Sequence, residues 1–371
     1  MIDLNLNHQA PASKQRYGIG VVGAGFIVRD VQLVAYGRAG YNVRAIACDV
    51  PEQAREAAAA RGIPKAYDSY EQLLDDPEVE ILDIAIPPHA QQAVVRAAAK
   101  RAGRIKGILA QKPLAVNHTE ARKTAEICKR AGITLGVNQN MRYDQSIRAL
   151  RTVMDRGYLG EPVLATIEMR AIPHWQKFLE GYDRLEILNM GIHHLDCFRF
   201  LFGDPESVYV SARTDPRTKF AHRDGIVLSI LEYGNGFRAT LWDDVWAGPA
   251  REGAAADSYI KWRVEGTDGL AQGTIGWPAY PNAQPSTIEF ATKQQPGVWF
   301  APKWSEVWFP DAFIGTMGML LDAVADGTEP AVSAADNLRT MALVDACYKS
   351  LDEHRPVRVT EILEASEAAK A

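Results

Sequence analysis

Tyr17-Gly18-Ile19-Gly20-Val21-Val22-Gly23-Ala24-Gly25-Phe26-Ile27-Val28 is the stretch that decides how this 371-residue chain is read. An apolar, β-branched run breaks at Gly-x-Gly and opens a helix, which is the pattern of a turn that holds a dinucleotide pyrophosphate. Gly23 permits the tight turn and Gly25 lets the backbone approach the phosphates, while the helix N-terminus faces their negative charge. Phe26 and Ile27 begin that helix and join the glycines as expected cofactor contacts. The third glycine of the pattern is replaced by Val28, whose side chain is expected to push helix and strand apart or to reposition the first helical turn.

The next apolar run, Val43-Arg44-Ala45-Ile46-Ala47-Cys48, ends in Asp49, 21 residues beyond Val28. A carboxylate there accepts hydrogen bonds from an adenosine ribose. The alternative for Asp49 is a helix cap, since Pro51 can begin a helix running to Arg61. In the ribose role an anionic Asp49 repels a 2′-phosphate, and no arginine follows it directly, so NAD is favoured over NADP.

Length sets a prior of two domains. A hydrophobic content of 47%, a charged content of 23% and a net charge of -5 describe a globular chain whose partner is not nucleic acid. Cys48, Cys128, Cys197 and Cys347 are far apart and read as ordinary thiols of a reducing compartment, the cytoplasm. Residues 1–16 are polar and are expected to form a loose tail, neither signal peptide nor membrane anchor, and no apolar run is long enough to span a bilayer.

From residue 17 to 143 apolar strands alternate with helical patterns, which predicts a doubly wound parallel sheet, an α/β dinucleotide-binding domain. Helix starts are expected near Ser69 and at Thr119, with Asn117 as a competing cap for the second. From 144 to 371 the style changes to closely spaced strands with Gly-containing turns such as Tyr233-Gly234-Asn235-Gly236, interrupted by a helix from Asn189 to Phe202. That predicts an α+β domain around a mostly antiparallel open sheet.

Four stretches in order, covering nearly the whole chain, resemble the Gfo/Idh/MocA family of sugar and inositol dehydrogenases. They are the nucleotide turn; Ile86-Pro87-Pro88-His89 followed by Ile108-Leu109-Ala110-Gln111-Lys112-Pro113-Leu114-Ala115; Leu188-Asn189-Met190-Gly191-Ile192-His193-His194-Leu195-Asp196; and Asp336-Asn337 through Ser350 to Val357. The second is similar to the family's Glu-Lys-Pro loop and the third to its Asp-x-Gly-x-His-x-x-Asp helix. The resemblance implies that Pro87, His89, Gln111 and Asn140 contact the cofactor, that Lys112 and His193 are catalytic, and that Asn189 acts beside them. Two family carboxylates are absent: Gln111 and Asn189 still hydrogen-bond but carry no charge.

Physically, an ammonium at a strand end favours a developing alkoxide, and an imidazole takes a proton near neutral pH. The plain alternatives are a solvent lysine and a satisfied helix histidine. Arg142 and Asn140, in the segment after the last parallel strand, are candidate cofactor and substrate contacts or else a hydrogen-bonded hinge. His174-Trp175 is the expected substrate pair, with His222 a weaker one, while His194 and Asp196 read as structural. All eight tryptophans lie in the second domain and divide between core, subunit interface and a saccharide platform. No metal is required.

The expected activity is hydride transfer from a secondary hydroxyl of a sugar, cyclic polyol or glycoside to NAD by a homodimer or homotetramer. The rivals are a tightly held NAD recycled within one catalytic cycle without net NADH, and a non-catalytic NAD or sugar sensor on the same fold.

Overall fold

The computed structural model describes residues 2–170, 177–245, 258–276 and 282–368. Its contacts divide the chain into two compact units, one of Ala10–Asn140 with Phe309–Met341 and the other of Met1–Gln9, Met141–Trp308 and Ala342–Ala371.

In the first unit the chain runs β1 (Ile19–Val22), α1 (Leu33–Ala39), β2 (Val43–Ala47), α2 (Pro51–Arg61), β3 (Lys65–Tyr67), α3 (Tyr70–Asp75), β4 (Ile81–Ile84), α4 (Pro88–Ala99), β5 (Gly107–Gln111), α5 (His118–Ala131) and β6 (Thr134–Asn138). The strands pair in parallel in the order β3-β2-β1-β4-β5-β6. Every residue of β1 and β4 is buried, which is why these strands read as near-continuous apolar runs rather than as alternations, with Asp83 the one charged residue among them. At the start of α5 the choice falls on Asn117, whose Oδ1 accepts from the Glu120 N–H at 2.9 Å, and not on Thr119.

The second unit begins with α6 (Gln145–Asp155) and β7 (Pro162–Arg170) and continues through α7 (Ile192–Phe202), β8 (Ser207–Arg213), β9 (Ile226–Glu232), β10 (Arg238–Asp244), β11 (Tyr259–Gly266), β12 (Gly269–Thr274) and β13 (Thr287–Thr292). The chain then forms α8 (Trp308–Asp326) and α9 (Ala334–Glu353), the second of which ends in this unit, followed by β14 (Val357–Arg358) and α10 (Val359–Ala368). The eight strands are ordered β13-β12-β11-β7-β10-β9-β8-β14. All neighbours are antiparallel except β7 and β10, which pair in parallel through Thr166 and Thr240. In β9, Val227, Ser229 and Leu231 point to the buried face while Leu228 and Ile230 stay half exposed on the other.

Two boundaries differ from the expectation. Residues 309–341 cluster with the parallel sheet, because Phe313, Met317, Leu320 and Leu321 of α8 share a core with Ile19, Ile81 and Leu109. The chain after α8 also adds a backbone bond there, from the Val137 N–H to the Val332 carbonyl at 2.9 Å. The N-terminal segment is not a loose tail. Leu6 is buried, Arg156 donates to the carbonyls of Asp3 and Asn5, and Ser13 donates to Asp322. Its polar composition hid this, because backbone carbonyls and one leucine do the anchoring.

Asp83, in the middle of β4, is buried and its Oδ2 accepts from Tyr36 and Gln32, each at 2.7 Å. Desolvation pushes its pKa up to about 7. The native state therefore keeps a proton that the unfolded chain releases above about pH 4. Stability from this group is full at low pH and is lost as pH rises through about 7, by up to about 4 kcal/mol. Asp83→Asn is expected to flatten that slope. Urea unfolding at pH 5 and pH 8 measures it, and a variant that falls as steeply as the wild type contradicts the account.

Candidate active site

Parallel strands place their carboxyl ends on one edge, and most residues singled out in the first unit lie there. The turn after β1 is tied on both sides, by the Gly23 N–H to the Ala47 carbonyl at 2.8 Å and the Ala85 N–H to the Val22 carbonyl at 2.9 Å. Gly23 has φ of +114°, and a Cβ on it would come within 2.4 Å of the Ala85 carbonyl oxygen. Gly25 is the opposite case: it is exposed, and nothing lies within 4 Å of where its Cβ would be. That open space above a turn of backbone N–H groups is the room a pyrophosphate needs.

Phe26 and Ile27 are half buried beside it. Val28 is buried in the core with Ile19 and Val21, and the residues Ile27–Gln32 wind as a π-helix before α1 begins.

Asp49, two residues past the end of β2, is exposed to solvent. It is not the cap of α2, since Val50 occupies that position and makes no side-chain cap bond. Pro87 precedes α4, and His89 stands exposed in its first turn.

The loop after β5 is clamped from α4. The buried Gln91 Nε2 donates to the carbonyls of Gln111, at 3.0 Å, and Pro113, at 3.1 Å, so its two bonds bracket Lys112. The Gln111 Oε1 accepts from the Lys112 backbone N–H at 3.0 Å, an intraloop bond in place of a charge beside the ammonium. Gln91 escaped the sequence reading because an amide on a helix has no signature of its own.

Asn138 at the end of β6 pairs with Gln111, and Asn140 donates to the Asn138 carbonyl at 3.3 Å. The side-chain amides of Asn138 and Gln139 are buried, and among the described residues they have no hydrogen-bond partner. Buried amides of this kind call for a ligand or ordered water. The glycine cradle, the exposed Asp49 and these amides together fit a nicotinamide dinucleotide.

The other chemistry-bearing residues belong to the second unit. A π-helical turn, Ile187–Gly191, carries Asn189 and runs directly into α7, which carries His193. π-Turns inside helices are frequent at functional sites. This one is anchored at its start by Asp224, which accepts from the N–H groups of Leu185 at 2.7 Å and Ile187 at 2.9 Å and from the Tyr348 hydroxyl at 2.7 Å. The same hydroxyl accepts from the Leu188 N–H at 3.2 Å, and the Arg184 guanidinium lies 4.3 Å from the Tyr348 ring. His193 is buried and meets the edge of Trp308, with ring centroids 6.0 Å apart.

Arg142 is engaged elsewhere than expected. It forms a buried two-point ion pair with Asp196, at 2.5 and 2.7 Å. His222 is likewise held inside its own loop, its Nε2 accepting from the Asp215 N–H and its Nδ1 donating to the Phe220 carbonyl, each at 2.9 Å. His194 faces Asp243 at 3.0 Å. His174 and Trp175 lie outside the described residues. Among the described tryptophans, Trp262 is core and donates to Ser146 at 3.0 Å, while Trp299 is 51% exposed.

Residues 17–139 match the family model described as an oxidoreductase family NAD-binding Rossmann fold, and residues 147–272 match the GFO/IDH/MocA C-terminal domain. The chain is 26% identical to D-apiose dehydrogenase of Paraburkholderia graminis over 94% of its own length and 91% of that protein. It is 24% identical to myo-inositol 2-dehydrogenase of Thermotoga maritima, over 84% of this chain and 89% of the other. An oxidoreductase from Agrobacterium radiobacter, solved in complex with NAD+, L-tartaric acid and magnesium, superposes with a TM-score of 0.78 at 23% identity, covering 94% of this chain and 99% of its own.

Two substitutions test the geometry. Gly25→Val fills open space, so the fold should keep its melting temperature while dinucleotide affinity falls at least about tenfold, as titration calorimetry would show. Tyr348→Phe removes a hydroxyl that both donates and accepts at the start of the π-turn, and is expected to cost about 2 kcal/mol in urea unfolding. A loss within error of zero would mean that this anchor is redundant.

Proposed function

This chain belongs to the Gfo/Idh/MocA family of oxidoreductases, and from that premise we propose that it is an NAD-dependent dehydrogenase acting on a secondary hydroxyl of a sugar, cyclic polyol or glycoside. The observation that carries this reading is Lys112 at the carboxyl edge of the parallel sheet, bracketed by the two Gln91 bonds. The bound dinucleotide supplies the acceptor for the carbinol hydride. Removing hydride from the carbon leaves one proton on the hydroxyl oxygen to be taken up. Lys112 donates a hydrogen bond to that oxygen and favours its developing negative charge, and His193 takes the proton, with Asn189 orienting substrate.

Several features support the finer assignments. The exposed carboxylate of Asp49 favours an adenosine ribose over its 2′-phosphate, hence NAD over NADP. Tyr209 of β8 with Leu228 and Ile230 of β9 form an apolar patch, 39 to 51% exposed, on one face of the eight-stranded sheet, which suits a homodimer or homotetramer. Four free, buried cysteines suit a reducing compartment such as the cytoplasm.

Lys112→Ala is expected to lower turnover at least about a hundredfold with NAD affinity within about threefold of wild type. Incubating the purified enzyme with inositols, free sugars and glycosides while following NADH absorbance gives the baseline. A changed substrate without NADH would move the reading to internal recycling, and wild-type rates in the variant would end the role of Lys112. Asp49→Ala should weaken NAD binding and narrow its advantage over NADP, by roughly tenfold if two ribose hydrogen bonds are lost. An unmoved preference ratio would remove Asp49 from the site.

A further inference from the structure

Lys112 is the first residue beyond β5, where the strand ladder gives out. Gln111 still pairs with Asn138 of β6, but Lys112 is followed by Pro113, which has no N–H to offer. A loop of this kind has carbonyls to satisfy and few backbone donors for them. The Pro113 carbonyl is bonded in a buried setting, so its donor comes from the protein and not from solvent.

That donor is one nitrogen of one side chain. Gln91 Nε2 reaches the Gln111 carbonyl at 3.0 Å and the Pro113 carbonyl at 3.1 Å. A primary amide carries two N–H bonds in one plane, and here both are used, one on each side of Lys112. Nitrogen and not oxygen must occupy this place, because both partners are carbonyl oxygens that only accept. Two donors on one planar group fix the spacing of the two carbonyls, and with it the backbone direction from which the Lys112 side chain departs. The support is firm: Gln91 is fully buried in α4, as are Val94, Val95 and Ala98 of the same helix. Gln92, next in sequence, turns instead to α5, where its Nε2 donates to the Glu120 carbonyl at 3.5 Å and the Thr124 hydroxyl at 3.3 Å.

We propose that Gln91 is a positioning residue for the reaction, acting on the chemistry only through Lys112 by holding the backbone on both sides of it. This rests on the role given to Lys112 above. Gln111 has no charge with which to hold the ammonium, and its Oε1 accepts from the Lys112 backbone N–H at 3.0 Å, so the lysine is aimed from its backbone. A misplacement of about 1 Å is enough to lower a rate on the order of 100-fold.

Gln91→Met keeps the length of the side chain and removes both donors. Its kcat should fall about 10- to 100-fold, with KM for substrate and for NAD within about threefold of wild type. Gln92→Met, the same substitution one residue on, should leave kcat within about twofold. The deciding comparison is a cycle with Lys112→Ala. Acting through the lysine, Gln91→Met changes the kcat of Lys112→Ala by less than about twofold, whereas a general structural role repeats its full loss there. A repeated loss, or wild-type kcat in Gln91→Met, overturns the proposal. Should Gln91→Met fail to fold, Gln91→Asn, whose amide is one methylene too short to span both carbonyls, enters the same cycle with the same expected pattern.

Hydrogen exchange reads the clamp without turnover. The backbone N–H groups of residues 112–115 should exchange at least about tenfold faster in Gln91→Met than in wild type, and at the wild-type rate in Gln92→Met. Unaltered exchange in this loop overturns the clamp. If the wild type oxidises no polyol, the functional reading of Lys112 fails, while the exchange rates still decide whether Gln91 holds the loop.

Discussion

Parallel pairing is the constraint from which the nucleotide site follows. A parallel strand must be re-entered from its own amino end, so β2, β3, β4, β5 and β6 are each reached by a crossover and, with β1, all release the chain at the same edge. Gly23, Asp49, Pro87, Lys112 and Asn138 are up to 115 residues apart in the chain and yet stand along that edge. The order β3-β2-β1-β4-β5-β6 also reverses direction between β1 and β4, where two successive crossovers leave a crevice above the glycine turn.

The second unit meets a different problem, which is to hold one helix in place with buried charge. A carboxylate in a protein interior is costly unless its oxygens are occupied. Asp224 meets that condition with two backbone N–H groups and the Tyr348 hydroxyl, and in doing so fixes where the π-turn starts. Asp196 meets it with the two-point Arg142 pair. Glu186 and Asp243 are fully buried as well, and desolvation raises both above the ordinary carboxylate range. The Asp224 and Asp196 arrangements meet the π-turn and the helix that follows it.

The departures from family pattern have local consequences that agree with their chemistry. Val28 joins the hydrophobic core, and the helix it opens is π-wound for one turn. Gln111, lacking charge, bonds the Lys112 backbone, while the positioning of that loop passes to Gln91. Neither change removes Lys112 or His193.

Much of this was legible in the chain itself. Runs of β-branched residues closed by glycine, the Gly23-x-Gly25 turn, and Asp49 at its interval are local patterns set by sterics and charge, and they specify a doubly wound sheet and its ligand class. The three-residue strand β3 was not legible, having too few residues to show a period. Nor was the anchoring of residues 2–16, nor the inclusion of 309–341 with the parallel sheet, since apolar helices look alike whichever core they enter. The partners of Arg142, Gln91 and Asp224 were decided by tertiary structure alone. A hydrogen bond or ion pair joins side chains whose separation in sequence carries no information, so only folding determines which arginine finds which carboxylate and which amide finds a partner at all.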